Sequence, residues 1–428
     1  MSARDIRILL DADAMHRHLR AIPVFAQGLA RLGSVSFERV WAKPGRHFHV
    51  SYRVCMEAEG ARVETLASAA LLPDDAVPSA VLAAAAGLRS PERSPRRWSA
   101  GQSSAVLDAP RALVQLFPWD LRLPTLAFAL DPVSIEAGAG LPPTRGCTLA
   151  GYWPGMRCNV RYESGREPSV LYGKVFPAGT VTAAAATQAA VARAVEGADG
   201  LAVPRVYAHV PELNLLLTEP MDGTPLHGRL RERQDVLARV AAALAAFQAL
   251  RVPGIERRFG PEDDLAVVRP WVSLVGGVFP DLAVKLEGCL SALREGAPGN
   301  DPGRASLVHR DFYDKQILVT PARIGLLDLD TVCLGDPEID VANFCAHLRL
   351  RSLQKYSSCA SAVPLAAVFL AAYTACQPRT DVSRVRWYLA STLLRLACLY
   401  ALRPAWRTLA PRLLDESREA LHVRDDRP

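Results

Sequence analysis

Residues 307–344 read LVHRDFYDKQILVTPARIGLLDLDTVCLGDPEIDVANF. The apolar periodicity gives strand, polar loop, strand, turn, strand and acidic loop. His309-Arg310-Asp311 opens the first loop, and Gln316 comes five residues after Asp311. Two apolar segments, 316–319 and 324–327, are spaced to pair as a hairpin across a turn at 320–323. Such a hairpin returns Asp328 to the side of Asp311 and Gln316. Two carboxylates and a side-chain amide oxygen then meet at one end of it. That set suits transfer of a phosphoryl group to a hydroxyl. One carboxylate orients the hydroxyl and takes its proton; the other, with the amide, holds the Mg²⁺ that neutralises a triphosphate. Solvated loop acids that share the spacing by chance are the alternative.

These residues resemble the aminoglycoside phosphotransferase and choline kinase group of kinase-like enzymes. The family pattern is His-x-Asp-x-x-x-x-Asn, a hairpin, an Asp, and then Gly-Asp-Pro and Asp-Leu-Ala. Here it reads His309-Arg310-Asp311, Gln316 in the Asn place, Asp328, Gly335-Asp336-Pro337 and Asp340-Val341-Ala342. Gln316 and Val341 are the departures. A lone His-x-Asp is unspecific, whereas the linked set is specific. The resemblance implies an α+β, bilobal protein-kinase-like fold: a small β-rich N-lobe and a larger helical C-lobe, here preceded by an α+β N-terminal cap. It also implies ATP and Mg²⁺ as cofactors, Asp311 as the catalytic base, and Gln316 and Asp328 as metal ligands. His309, Asp336 and Asp340 then support the catalytic loop. The Gln is shared with bacterial maltokinases, which also carry an extra N-terminal cap. It offers the carbonyl oxygen of Asn through one more methylene, and Mg²⁺ accepts such ligands.

The composition is that of an ordinary enzyme. The chain has 428 residues, 50% hydrophobic and 22% charged, enough for two or three domains with substantial cores. The net charge of +6 is scattered, with no basic run or aromatic-rich basic stripe. It suits anionic ligands such as nucleotides and points away from nucleic acid. Nine cysteines lie far apart without a CxxC pair, mostly inside apolar runs, and read as reduced core residues of a cytoplasmic protein. Asp11 and Asp13 interrupt the first apolar run, so no signal-peptide core is expected. The longest apolar run, 363–376, is too short for a bilayer and reads as a buried helix. No membrane partner is expected.

Three sections follow from the patterning. Residues 1–132 form the cap, read as helix, two strands (35–42 and 49–58), helix (78–88), and a polar Pro- and Arg-containing connector at 89–101. Phe117-Pro118-Trp119-Asp120 closes it as a packed linker. Residues 133–222 form the N-lobe, with strands at 148–152, 158–163, 169–176, 205–209 and 213–218 and a helix at 182–195. Residues 223–428 form the helical C-lobe. The segment 41–53 weakly echoes 152–162, both reading as a hairpin turn followed by a strand; it carries no function.

The nucleotide end is less complete. Lys174 sits in an apolar strand, where a cation is costly unless phosphate or carboxylate answers it. The resemblance implies that this Lys contacts ATP; a surface lysine extended to water is the alternative. No GxGxxG covers the phosphates. The turn Trp153-Pro154-Gly155-Met156 and Arg157 stand in its place. The family's helix Glu, which holds the Lys, is missing: 182–195 contains no acid. Gln188 is the candidate substitute, with Glu196 at or past the helix end. Met221, after Leu217-Thr218-Glu219-Pro220, is placed to pack on adenine or to serve as an ordinary core residue.

Asp314, Asp336, Glu338 and Asp340 are available to rim the acceptor site, or to brace the loop and cap the next helix. Arg310 is placed to meet an acidic loop, and Cys333 to fill space. The expected activity is ATP-dependent transfer to a hydroxyl of a small molecule, a sugar or an aminoglycoside-like compound. A degraded kinase acting as a nucleotide-binding regulatory or scaffold subunit is the alternative, favoured by the missing Glu and opposed by the intact Asp311 and Asp328. A protein kinase is disfavoured, because only a short loop fits between Asp328 and Asp340.

Overall fold

The computed structural model describes residues 2–92, 98–139, 144–165, 167–227 and 234–422. The connector expected at 89–101 therefore lies partly, at 93–97, outside the described residues. The chain divides into two compact units. The first comprises 1–185, 206–220 and 402–404; the second comprises 186–205, 221–401 and 405–428.

The first unit holds two five-stranded sheets. One follows the N-terminal helices and runs in the order Arg31–Lys43, His47–Ala58, Ala61–Leu71, Ala112–Leu116, Ser104–Leu107, each pair antiparallel. Only the first two strands were expected. Ala61–Leu71 is Ala-rich and lacks a run of β-branched residues, so its local propensity is weak. It is set by its turn: Glu59 and Gly60 both take positive φ, 52° and 75°, as the two-residue turns that match strand twist require. The buried Tyr52 donates from its hydroxyl to the Leu9 carbonyl at 2.6 Å and ties the first helix to this sheet.

The second sheet runs Val206–Val210, Leu215–Thr218, Val170–Val175, Arg157–Ser164, Thr144–Trp153. Side chains alternate between its faces. Val160, Tyr162, Leu171, Val175, Leu215 and Leu217 form a core with Leu123, Leu126 and Ile135. Gly173 lies on this face, where a Cβ would sit 2.5 Å from the Tyr162 ring. The other face carries Arg157, Asn159 and Lys174. The echo between 41–53 and 152–162 is real as geometry: both are hairpins, with Gly45 and Gly155 at φ 80° and 67° in their turns.

The second unit is mainly helical. Its long helices are Gln234–Ala249, Pro261–Val278, Pro280–Glu295, Glu338–Tyr356, Val363–Cys376, Val382–Ala401 and Ala410–His422. The fully buried Phe312, Phe344 and Phe369 pack as tilted rings, with centroids 5.6 Å apart for Phe312–Phe344 and 4.3 Å apart for Phe344–Phe369. Val363–Cys376 corrects the expectation of a buried helix. Only the stripe Leu365, Phe369 and Tyr373 is buried, while Val363 and Val368 are 61% and 41% exposed. Apolar content alone does not report which face meets the core. No described helix is long and apolar enough to cross a membrane. All nine cysteines are free, and five are buried.

Two small sheets interrupt the helices. Ile317–Val319 and Ile324–Leu326 form the expected hairpin, flanked by Thr224–Pro225 and Leu201–Ala202. Ser306–Val308, Cys333–Gly335 and Arg258–Phe259 make the other.

Candidate active site

The loop between Val308 and Ile317 is fixed by buried polar groups. Asp340, fully buried near the start of helix Glu338–Tyr356, accepts the backbone N–H groups of His309 and Arg310 at 2.8 and 2.7 Å. Burial raises its pKa, and His309 and these hydrogen bonds oppose that rise. Gln248 adds its amide at 3.3 Å to Asp340 and at 2.9 Å to the Pro337 carbonyl. His309 is also fully buried. Its Nδ1 accepts the Asp311 N–H at 3.3 Å, which assigns the proton to Nε2, 2.8 Å from the Leu327 carbonyl. Nε2 thus ties the loop to the hairpin, while Nδ1 fixes the turn of the loop itself. Arg310 takes φ 65°, a left-handed conformation costly for a side-chain-bearing residue. Its guanidinium lies 3.5 Å from the Phe259 ring centroid, where an acidic loop had been expected.

The hairpin register brings the reactive groups together. Ile317 pairs with Leu326, and the Leu327 N–H donates to the Gln316 carbonyl at 2.8 Å. Asp328 follows at φ 62°, which Asp tolerates better than most residues. The Gln316 amide nitrogen then lies 3.3 Å from a carboxylate oxygen of Asp311 and 3.3 Å from one of Asp328. Asp311, Gln316 and Asp328 are all half-buried. Burial, and then the charge of Asp328, push the Asp311 carboxyl above its ordinary value. Such a pair draws a cation. Among the described residues no three His, Cys, Asp or Glu side chains converge as a metal site. A cation here would rest on few protein oxygens and complete its shell with phosphate and water, the habit of Mg²⁺.

The acids that the sequence left as either an acceptor rim or loop braces are hydrogen-bonded inside the protein. Asp314 is 1% exposed and bonded to His227 and to Arg351, the latter at 3.2 Å. Asp336 receives Arg384 at 2.6 Å and the Tyr388 hydroxyl at 2.8 Å. Glu338 receives Arg304 and the Asp381 N–H. Each is buried and bonded to a cation or an N–H donor, although the second carboxylate oxygen of Glu338 accepts no hydrogen bond. Cys333 is a buried thiol pushed up to about 11, chiefly by burial, as a packing role requires.

Of the nucleotide-binding candidates, Lys174 is half-buried with its ammonium 5.6 Å from the Phe176 ring centroid. The Arg157 guanidinium stacks 4.6 Å from the Trp153 ring centroid. Met221 packs its thioether against Gly325, where a Cβ would meet its methyl at 2.5 Å. Gln188 is buried and donates its amide to the Pro204 carbonyl at 2.6 Å. Gln188→Glu therefore replaces a donor by a carboxylate facing a carbonyl. It is expected to destabilise the protein by about 1–3 kcal/mol, read as a lower melting temperature.

Sequence reading placed Asp120 only in a packed linker and did not single out Arg122. Asp120 is buried and accepts the Gly155 N–H at 2.7 Å and the Tyr152 hydroxyl at 2.8 Å, while Arg122 donates to the Gly155 carbonyl at 2.9 Å. The Trp153-Pro154-Gly155-Met156 turn is thus pinned from the preceding linker. The only signal was an acid inside the apolar stretch FPWDLRL.

Residues 159–388, more than half of the chain, match the phosphotransferase enzyme family, and the chain belongs to that family. Its kinase-like α+β fold is the one the motif implied. The chain is similar to a macrolide 2′-phosphotransferase from Brachybacterium faecium, at 20% identity over 70% of this chain and 99% of that one, with a TM-score of 0.44. A choline kinase from Cryptosporidium parvum is similar at 13% identity over 68% of this chain and 93% of that one, with a TM-score of 0.48. An aminoglycoside phosphotransferase from Streptomyces rimosus, solved with ADP and streptomycin, is similar at 19% identity over 57% and 90%, with a TM-score of 0.38. No curated protein matches the sequence.

Proposed function

We propose that this phosphotransferase takes ATP with Mg²⁺ and moves the γ-phosphoryl group to a hydroxyl of a small molecule. The observation that carries the reading is the Gln316 amide, 3.3 Å from both Asp311 and Asp328. Asp311 orients the acceptor hydroxyl and takes its proton as the oxygen bonds to phosphorus. The bond to the bridging oxygen breaks, and ADP leaves. Asp328 holds Mg²⁺ together with Gln316, whose amide turns over to present its oxygen. When bound, Mg²⁺ neutralises phosphate charge. His309, Asp336 and Asp340 keep the loop in place. Lys174 and Arg157 bind the phosphates, and Met221 packs near the base; Gln188 supports the nucleotide side through its helix.

The acceptor favoured is a sugar, on the strength of Gln316 and the N-terminal cap. The buried, neutralised acids support a polyhydroxylated acceptor over a polycationic one. Nine free cysteines support a cytoplasmic setting. One observation favours the scaffold reading: helix Val181–Val195 contains no acid.

Calorimetry tests the core of the proposal. ATP is expected to bind clearly with Mg²⁺ and weakly without it, and Asp328→Asn should remove that difference. No binding in either condition would overturn both the enzyme and the scaffold readings. ADP formation against sugars, aminoglycosides, choline and nucleosides then separates the two. Binding without turnover on any acceptor would favour the scaffold.

A further inference from the structure

A lysine that binds phosphates needs a partner that aims its ammonium. Helix Val181–Val195 supplies no acid, and the Gln188 amide nitrogen is committed to Pro204. The sheet itself offers another group. Asn159 lies directly across from Lys174 in the antiparallel register of strands Arg157–Ser164 and Val170–Val175. Cross-strand partners share a face, with Cβ atoms about 5 Å apart. The Asn159 Oδ1 is buried and accepts no hydrogen bond. Such an open acceptor is uncommon and costly away from water, and its natural complement is a donor arriving on that face. The one acid on the same face of its strand, Glu163, is paired with Arg161 at 2.5 Å, so it does not compete.

We propose that Asn159 is the positioning residue for Lys174: its side-chain carbonyl receives the ammonium when nucleotide is bound. The neighbouring strand thereby supplies, as a neutral acceptor, what a helix carboxylate would otherwise supply. The exchange has a chemical consequence. A carboxylate orients the lysine but cancels its charge, whereas an amide oxygen orients it and leaves the full charge for the phosphates. This inference rests on the nucleotide-binding reading of Lys174 given above.

The test is a double-mutant cycle on the full chain, with the dissociation constant of Mg·ATP read by calorimetry and folding read by thermal melting. Asn159→Ala is expected to weaken Mg·ATP about tenfold, the worth of one hydrogen bond to a charged group. Lys174→Ala should weaken it at least as much. The double variant should bind no more weakly than Lys174→Ala alone, because Asn159 acts through that lysine. Asn159→Asp, which keeps an acceptor at the same place, should bind more tightly than Asn159→Ala. Additive losses in the double variant would overturn the proposal. So would unchanged Mg·ATP affinity in Asn159→Ala, whether or not its melting temperature falls. If Lys174→Ala itself leaves the affinity unchanged, the nucleotide reading of Lys174 fails first. That outcome is distinct from a failure of Asn159 alone.

Discussion

Asp311→Asn is expected to lower phosphoryl transfer by about 10²–10⁴-fold, the usual worth of a positioned general base, while Mg·ATP binding stays near that of the wild type. The variant keeps the size and polarity of the side chain and removes only its basicity and charge. A second readout follows from linkage. Burial and the adjacent Asp328 raise the Asp311 pKa in the folded protein. For a raised pKa, the stability contributed by the group is present below the ordinary carboxylate range and lost as pH rises through the raised value. At pH 7 without metal, Asp311→Asn should therefore melt above the wild type. The gap should close as pH falls through the raised value. Full activity in Asp311→Asn would remove Asp311 as the base; equal melting at pH 7 would remove the electrostatic strain between the two carboxylates.

Arg384→Ala is expected to cost about 3–5 kcal/mol of stability, because it leaves the buried Asp336 carboxylate without its cation. The Arg384 and Asp336 side chains are 9% and 5% exposed, and their contact is 2.6 Å. The brace stands beside the start of helix Glu338–Tyr356, which carries Asp340 and thereby the His309 and Arg310 N–H groups. Transfer activity should fall with stability. Arg384→Met combined with Asp336→Leu should be less destabilised than Arg384→Ala, since the buried carboxylate is then removed with its cation. Denaturant unfolding of the three proteins decides the matter. A loss in Arg384→Ala as small as that of a surface ion pair would show that water reaches Asp336 freely.

Much of the site was legible because it is local. Asp311, Gln316 and Asp328 lie within eighteen residues, and the alternation of apolar residues around the 320–323 turn suffices to set the register that joins them. The strand carrying Lys174 was legible for the same reason. The N-terminal sheet was legible in part: two strands alternate clearly, but Ala61–Leu71 has little propensity of its own and is recruited by pairing with His47–Ala58.

The sequence by itself therefore determined the motif, the family and the convergence of three side chains, since hairpin geometry depends on neighbours in the chain. Only the tertiary structure decided what the remaining polar groups do. Asp336 meets Tyr388 across 52 positions, Asp314 meets Arg351 across 37, and Asp340 meets Gln248 across 92. Whether a carboxylate is a free rim charge or a buried brace depends on the partner that removes it from water. For these acids that partner is chosen by helix packing, which no local spacing encodes.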